Sequence, residues 1–368
     1  MSFRYLFALV GSAWSVLSAA DARAQLVVFV PLRPVPYVST AVVSTLAGAA
    51  GSKGSTDGPG AVARFARPMG LAVAADGTVF VVDEENHTIR KIAPTGEVTT
   101  LSGAPTSKGS ADGVGAEARF HHPVGVAVDW SGTLYVTDTD NHTIRKITAA
   151  GAVTTLAGTA GSKGSADGPG PAARFNLPHG VAVDAQGTVY VTDTFNHTVR
   201  KVTADGEVTT LAGTAGRKGG ADGRGTTARF NHPFGIAVDA QGTLYVADNG
   251  GNTVRKITAG GKVTTLAGVA GQRGAVDGPG ATARFRSPTG VALDASGNLY
   301  VAEALNATIR KITANGVVTT VAGTAIGLDH ADGPGPDARF DGPSGVAVDA
   351  EGTVYVADSN SNVIRVVR

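Results

Sequence analysis

The chain of 368 residues contains no cysteine and only two methionines. Disulfides, a thiolate nucleophile, cysteine-ligated zinc and a lipidated N-terminal cysteine are all excluded. Charge of one sign is also missing, because the formal net charge is +1. A nucleic-acid partner attracted by global electrostatics is therefore not expected. Amphipathic helical patterning is absent too, since no window keeps a 3.6-residue apolar period over several turns. Apart from the N-terminus, no stretch is long and apolar enough to span a membrane. What is abundant is turn-forming residue, with 51 Gly and 17 Pro against a hydrophobic content of 42%. Apolar content that high separates the chain from disordered Gly/Pro-rich sequences.

The N-terminus differs in kind from the rest. Arg4 precedes the apolar run "YLFALVGSAWSVLSAA" (5–20), and the small-x-small site Ala22-Arg23-Ala24 follows. This order describes a secretory signal over residues 1–24, cut before Gln25. An uncleaved anchor is the alternative, although the run falls short of the ~20 residues a spanning helix needs. Residues 25–38 are apolar, but the closely spaced Pro34 and Pro36 predict an extended linker. A secreted or periplasmic protein follows, with no membrane span once the signal is removed.

Repetition organises everything after residue 38. The segment "TLAG" begins at Thr45, Thr155, Thr210 and Thr265, with variants at Thr100 and Thr320, so each step is 55 residues. The Phe of "ARF" keeps that step at 65, 120, 175, 230, 285 and 340, and a Pro-x-Gly begins at 68, 123, 178, 233, 288 and 343. Such a period marks a repeat architecture. Within the third copy, "GVAVD" (180–184), "TVYVTD" (188–193), "HTVRKVT" (197–203) and "EVTTLAG" (207–213) read as four short strands divided by Gly, Asp and Asn turns. "GPAARF" (170–175) is the one candidate helical turn.

Six four-stranded units form either a linear solenoid or a closed propeller. The first strand after the linker, residues 42–48, reads as a fourth strand without its first three. The last, residues 362–368, reads as a third strand without a fourth. Pairing them completes a sixth blade and removes two open edges. Ring closure over so long a chain costs about 5 kcal/mol, which one strand's hydrogen bonds and buried side chains offset. The expectation is an all-β, six-bladed β-propeller over residues 39–368, closed by residues 42–48 pairing with 362–368, and a monomer.

The pattern "PxGVAVDxxGTxYVxDxxNHTIRK" resembles the NHL repeat. Asn-His-Thr stands at 86–88, 141–143 and 196–198, while the last three copies depart with "NGGNT", "LNAT" and "NSNV". The "LAG…DGxG…ARF…P" extension is similar to longer bacterial NHL-type repeats and to the propeller of teneurins. The resemblance implies the propeller fold. It implies less about activity, because such propellers serve as binding scaffolds, as sensors and at times as metalloenzymes.

A residue present at the same point of every blade is expected to do the same structural job each time. Asp83, Asp138, Asp193, Asp248 and Asp358, with Glu303 in the fifth blade, end the second strand and can accept backbone N–H groups of the next turn. Asn141 and Asn196 do likewise and tolerate a left-handed backbone. In the long loops, Asp57, Asp112, Asp167, Asp222, Asp277 and Asp332 each lie seven residues before Arg64, Arg119, Arg174, Arg229, Arg284 and Arg339. One ion pair per blade between these two sets is expected. A calcium loop is disfavoured by the single carboxylate per loop, and the glycines lack the βαβ context of a phosphate loop. The aromatic residue of each second strand, Phe80 in the first copy and Tyr in the other five, is read as packing between blades.

Function is expected where the copies differ. Arg67, His122, Leu177, His232, Ser287 and Gly342 precede the Pro, and Met69, Val124, His179, Phe234, Thr289 and Ser344 follow it. Both positions lead into the innermost strand on the long-loop face, so they border the mouth of the central channel. His122, His179 and His232 are candidate metal ligands, by resemblance to peptide-amidating lyases that hold zinc with channel histidines. The set lacks a carboxylate and His179 is out of step. A tolerance for any polar residue at a solvated rim explains it equally. No asymmetric acidic and amide set of the gluconolactonase kind stands out. A basic ring of Lys53, Lys108, Lys163, Lys218 and Arg273, broken by Leu328, is either an anion-attracting rim or simply solvated. Ile326, Leu328 and His330 make the sixth long loop unlike the others. The sequence reading is therefore an exported module binding a protein or glycan through its long-loop face, without a required cofactor. The alternative is a metal-dependent hydrolase or lyase at the channel mouth.

Overall fold

The computed structural model describes residues 39–325 and 329–368. It also describes the backbone of three short strands, Leu6–Val10, Ala13–Leu17 and Val27–Phe29, in a separate unit, Met1–Val38. The expected signal cleavage site, the expected linker apart from the strand Val27–Phe29, and Ile326 and Leu328 lie outside the described residues. From Ser39 onward the chain is a β-propeller of six antiparallel blades. The third blade shows the four strands that all blades share: Pro178–Val183, Val189–Asp193, Thr198–Val202 and Val208–Gly213 pair in sequence order. β-branched residues and Tyr fill these strands, whose flat pleat they pack best. No helix among the described residues is long and apolar enough to cross a membrane.

Ring closure uses the two ends of the propeller. Val42–Gly48 pairs antiparallel with Val363–Val367, in register Val363 to Gly48 through Val367 to Val43. The Val42 N–H donates to the Arg368 carbonyl at 2.8 Å, and the Val42 carbonyl accepts the Arg368 N–H at 3.0 Å. This strand takes the fourth place in the sixth blade, after Pro343–Val348, Val354–Asp358 and Val363–Val367.

Two details go beyond four strands per blade. In five blades a two-residue strand from the DGxG loop, such as Gly58–Pro59, adds a fifth to the outer edge, while in the third a single bridge joins Gly168 to Val208. The helical turn expected at 170–175 is an ordinary turn, with one turn of 3-10 helix at the matching place in Gly115–Glu117 and Gly225–Thr227.

The hydrophobic core lies between blades, in six clusters that each join two neighbours. At the axis, the glycine of each Pro-x-Gly faces the next blade's backbone. A Cβ on Gly125 would collide with the His179 carbonyl, one on Gly180 with that of Phe234, and one on Gly345 with that of Met69. Only glycine permits inner strands to approach this closely, and the contact from Gly345 to Met69 completes the circle.

Candidate functional site

Each blade is fastened by a buried arginine that the sequence reading had not singled out. Arg90, Arg145, Arg200, Arg255, Arg310 and Arg365 occupy the third strand and are fully buried. Arg90 donates to Asp83 Oδ2 at 2.8 Å and to Asp57 Oδ1 at 2.6 Å, and lies 5.0 Å over the Phe65 ring. It also reaches the carbonyls of Arg64 and Thr56, so the long loop is bonded to strand and turn together. The loop Asp further accepts from the fourth strand, as Asp57 does from Thr100 N–H and Oγ1.

The expected ion pair between Asp57 and Arg64, and its copies at Asp112 and Arg119, Asp167 and Arg174, Asp222 and Arg229, Asp277 and Arg284, and Asp332 and Arg339, does not form. The loop carboxylates pair with the third-strand arginines. The "ARF" arginines curl back on carbonyls of their own loop, as Arg64 does on Ala61, Val62 and Ala63. Chain separation favoured the nearer arginine, but the fully buried third-strand guanidinium has no water to hydrate it and takes the half-exposed loop carboxylate as a second anionic partner.

The second-strand acids sit at the centre of this arrangement. Asp83 Oδ1 accepts the Ala66 N–H and Oδ2 the Asn86 amide, and Asp138 and Asp193 repeat both contacts with Asn141 and Asn196. Burial pushes the carboxyls of Asp83, Asp138 and Asp193 up to about 6, against the pull of arginine and amide. In the fourth blade Gly251 replaces the Asn, the arginine contact of Asp248 lengthens to 3.4 Å, and its carboxyl rises to about 7. Glu303 keeps the scheme through Arg286 N–H, Asn306 and Arg310, and Asp358 through Asp341 N–H and Arg365.

The histidine of "NHT" is a blade-to-blade link. His87, His142 and His197 are left-handed, with φ near 60°. Nδ1 of each accepts the backbone N–H of the residue before Pro in the next blade, namely His122, Leu177 and His232. Asn252 and Asn362 do the same for Ser287 and Arg67. Burial, with nearby lysines Lys108, Lys163 and Lys218, holds the three rings below the ordinary histidine value and so in the accepting, neutral form.

The positions flanking Pro separate. Residues before it are left-handed in every copy, Arg67 (φ 55°) and His122 (φ 44°) among them, which turns their side chains onto the rim. Residues after it line the channel, which narrows to a cavity of about 70 Å³ bordered by Met69, Val124, His179, Phe234, Thr289 and Ser344. His179 stacks on Phe234 at 4.3 Å, and its Nδ1 faces the Leu177 carbonyl at 2.9 Å. Enclosure at the axis pushes the His179 ring down to about 4. His232 meets Asn231 Oδ1 at 3.0 Å and the rings of His197 and Phe195. Burial and Lys218 lower it. His122 turns to Glu84 Oε1 at 3.2 Å.

His122, His179 and His232 do not converge as ligands. The metal-compatible group among the described residues is His121, His122 and Asp140, whose ligand atoms lie within 4.8 Å of one another. Lys163 and Lys218 are exposed, as are the other cations of that ring, and Lys53 is tied to Glu85 at 2.7 Å. His330 turns inward to Arg365 at 3.1 Å.

A cavity of about 320 Å³ opens over one side of the channel mouth, bounded by Arg67, Glu84, His122, Asp140, His179 and Phe195, with Phe234 at its floor. Its residues come from the first four copies only. Phe195 is 46% exposed there. Sequence reading found Arg67, His122, His179 and Phe234 but missed Glu84, His121, Asp140 and Phe195, which depart from their copies in the same way.

The NHL repeat family matches residues 65–92, 120–147, 175–202, 230–257 and 340–367. Five of the propeller's six blades carry NHL repeats. The fifth copy, with Glu303 and Ala307, is outside those matches. NHL repeat-containing protein 2 of Bos taurus is 29% identical over 325 residues, spanning 78% of this chain and 44% of that protein. Teneurin-3 of Danio rerio is 30% identical over 347 residues, spanning 82% of this chain and 12% of that one. The chain thus spans less than half the length of these curated relatives. An auxiliary nutrient binding protein from Bacteroides ovatus superposes with a TM-score of 0.68 at 18% identity, covering 97% of this chain and 82% of that one. At that identity the likeness carries the NHL propeller's fold alone.

Proposed function

We propose that this NHL propeller is an exported recognition module that binds a protein or glycan of the envelope or exterior at the channel mouth on its long-loop face, with glycan the favoured class. The observation that carries the reading is the one-sided cavity on an otherwise repetitive ring. Binding sites join apolar and aromatic walls to a few placed polar groups. Here Phe195 and the stacked pair of His179 and Phe234 supply flat apolar faces. Arg67, Glu84 and Asp140 supply charged hydrogen-bonding groups around them. Sugars present both kinds of surface. The nutrient-binding description of the Bacteroides ovatus neighbour agrees with a binding role, and Arg4, the apolar run and Ala22-Arg23-Ala24 support export.

The test is a glycan array probed with the full chain and with Phe195→Ala. Binding to a glycan class that falls at least tenfold in Phe195→Ala supports the reading. A bare array, or binding unaffected by that change, rejects the glycan. Turnover of a bound compound that stops on chelation would replace binding with a metal-dependent hydrolase or lyase.

A further inference from the structure

Glu84 breaks a rule of the ring. The residue following the second-strand acid normally reaches the carbonyl of the next blade's Pro: Thr139 to Pro178 at 2.7 Å, Thr194 to Pro233 at 2.7 Å, Asn249 to Pro288 at 3.0 Å and Ser359 to Pro68 at 2.5 Å. Glu84, in that place in the first blade, reaches His122 Nδ1 and sits 3.1 Å from Arg67. It is only 8% exposed, with Oε2 beside the Arg67 guanidinium and Oε1 on the His122 ring. A nearly buried carboxylate that has given up a scaffold contact to hold one ring nitrogen of a histidine leaves the other ring nitrogen, Nε2, oriented and available.

The neighbours of that nitrogen are also held. His122 is left-handed, so it and His121 lie on one side of the chain with ring centroids 5.3 Å apart, whereas successive residues of a strand point oppositely. The His121 N–H donates to Asp138 Oδ1 at 2.8 Å, and the His121 carbonyl accepts the Asp140 N–H at 3.1 Å, which locks the two loops together. Asp140 Oδ2 stands 3.6 Å from His121 Nε2. The combination occurs once: the pairs matching His121 and Asp140 are Ala66 and Glu85, Asn176 and Phe195, Asn231 and Gly250, Arg286 and Leu305, and Asp341 and Asn360.

We propose that His121, His122 and Asp140 form a binding site for a borderline divalent transition metal of the zinc type, with Glu84 as the residue that positions His122. Two imidazole nitrogens and one carboxylate oxygen are the donor set zinc prefers, and three protein ligands leave a fourth position open. Glu84 on the far ring nitrogen supplies the outer carboxylate that metal-bound histidines commonly have. Ligand atoms now within 4.8 Å close to about 3.3 Å around a tetrahedral ion, a small movement for side chains that are all partly exposed. His122 and Asp140 border the cavity, so the open position faces any ligand there. This goes beyond the glycan reading and stands or falls without it.

The full chain, stripped with chelator, is titrated calorimetrically with Zn²⁺ and its Co²⁺ form is examined by visible absorption. The site requires one saturable Zn²⁺ per chain and a tetrahedral-type Co²⁺ band. His121→Ala and Asp140→Asn each weaken Zn²⁺ at least tenfold and lose the band. Glu84→Ala weakens Zn²⁺ about 10–100-fold but keeps the one-to-one stoichiometry and the band. His142→Asn, which installs the residue native at positions 252 and 362, leaves both unchanged. Thermal melts confirm that each variant is folded. No saturable binding to the unaltered chain, or equal affinity in His121→Ala and Asp140→Asn, overturns the proposal.

Discussion

Thr45 donates its backbone N–H to Asp332 Oδ2 at 3.0 Å across 287 residues of sequence. Asp332 also accepts from Arg365 at 2.6 Å, so one carboxylate joins the N-terminal strand, the C-terminal strand and the last long loop. Asp332→Ala should therefore loosen the seam first. Amide exchange over residues 42–48 is expected to quicken while that over Val208–Gly213 holds, at a cost of about 1–3 kcal/mol. Uniform change across all six blades would contradict the seam.

The contacts of the two arginine sets should differ widely in what their loss costs. Asp138→Ala leaves Arg145 buried beside one remaining, half-exposed carboxylate, and loss of about 3–5 kcal/mol is expected. Arg119→Ala removes contacts to carbonyls of an exposed loop and should cost about 1 kcal/mol or less. Denaturant midpoints of the two variants measure the contrast.

Ala307 is left-handed at φ 55° and offers no side-chain acceptor where five copies place His or Asn. Ala307→Asn puts a residue that tolerates this conformation opposite the Gly342 N–H. A gain of about 1 kcal/mol in thermal unfolding is expected.

His179, held down to about 4, should show no ring titration by NMR between pH 5 and 8. Because its folded value lies below its unfolded one, its contribution to stability is complete above about 6.5 and declines as pH falls toward 4. His179→Asn should remove that part of the acid sensitivity. If the His179 ring titrates near 6.5, its enclosure is wrong.

The ring, the strands and the closure were legible because a 55-residue period repeats every structural requirement six times. The partner of Asp57 was not. Arg64 is nearer in sequence, whereas Arg90 reaches it only after three strands have folded side by side. The 55-residue step of Arg90 was itself visible, and a cation recurring inside a buried strand signals a buried acid to meet it. At the candidate site, comparing copies beside the Pro found Arg67 and His122. Glu84, His121 and Asp140 escaped because they converge from two blades and a left-handed kink, which no linear spacing encodes.

The central claim is that repeated positions build the scaffold and recognition occupies the irregular side of the channel mouth. Its most direct measurement is the dissociation constant for an array-identified glycan in two double variants at equivalent places, Arg67→Ala with Phe195→Ala and Ser287→Ala with Leu305→Ala. The account predicts a loss of at least tenfold in the first and none in the second. Equal losses, or loss only in the second, would contradict it.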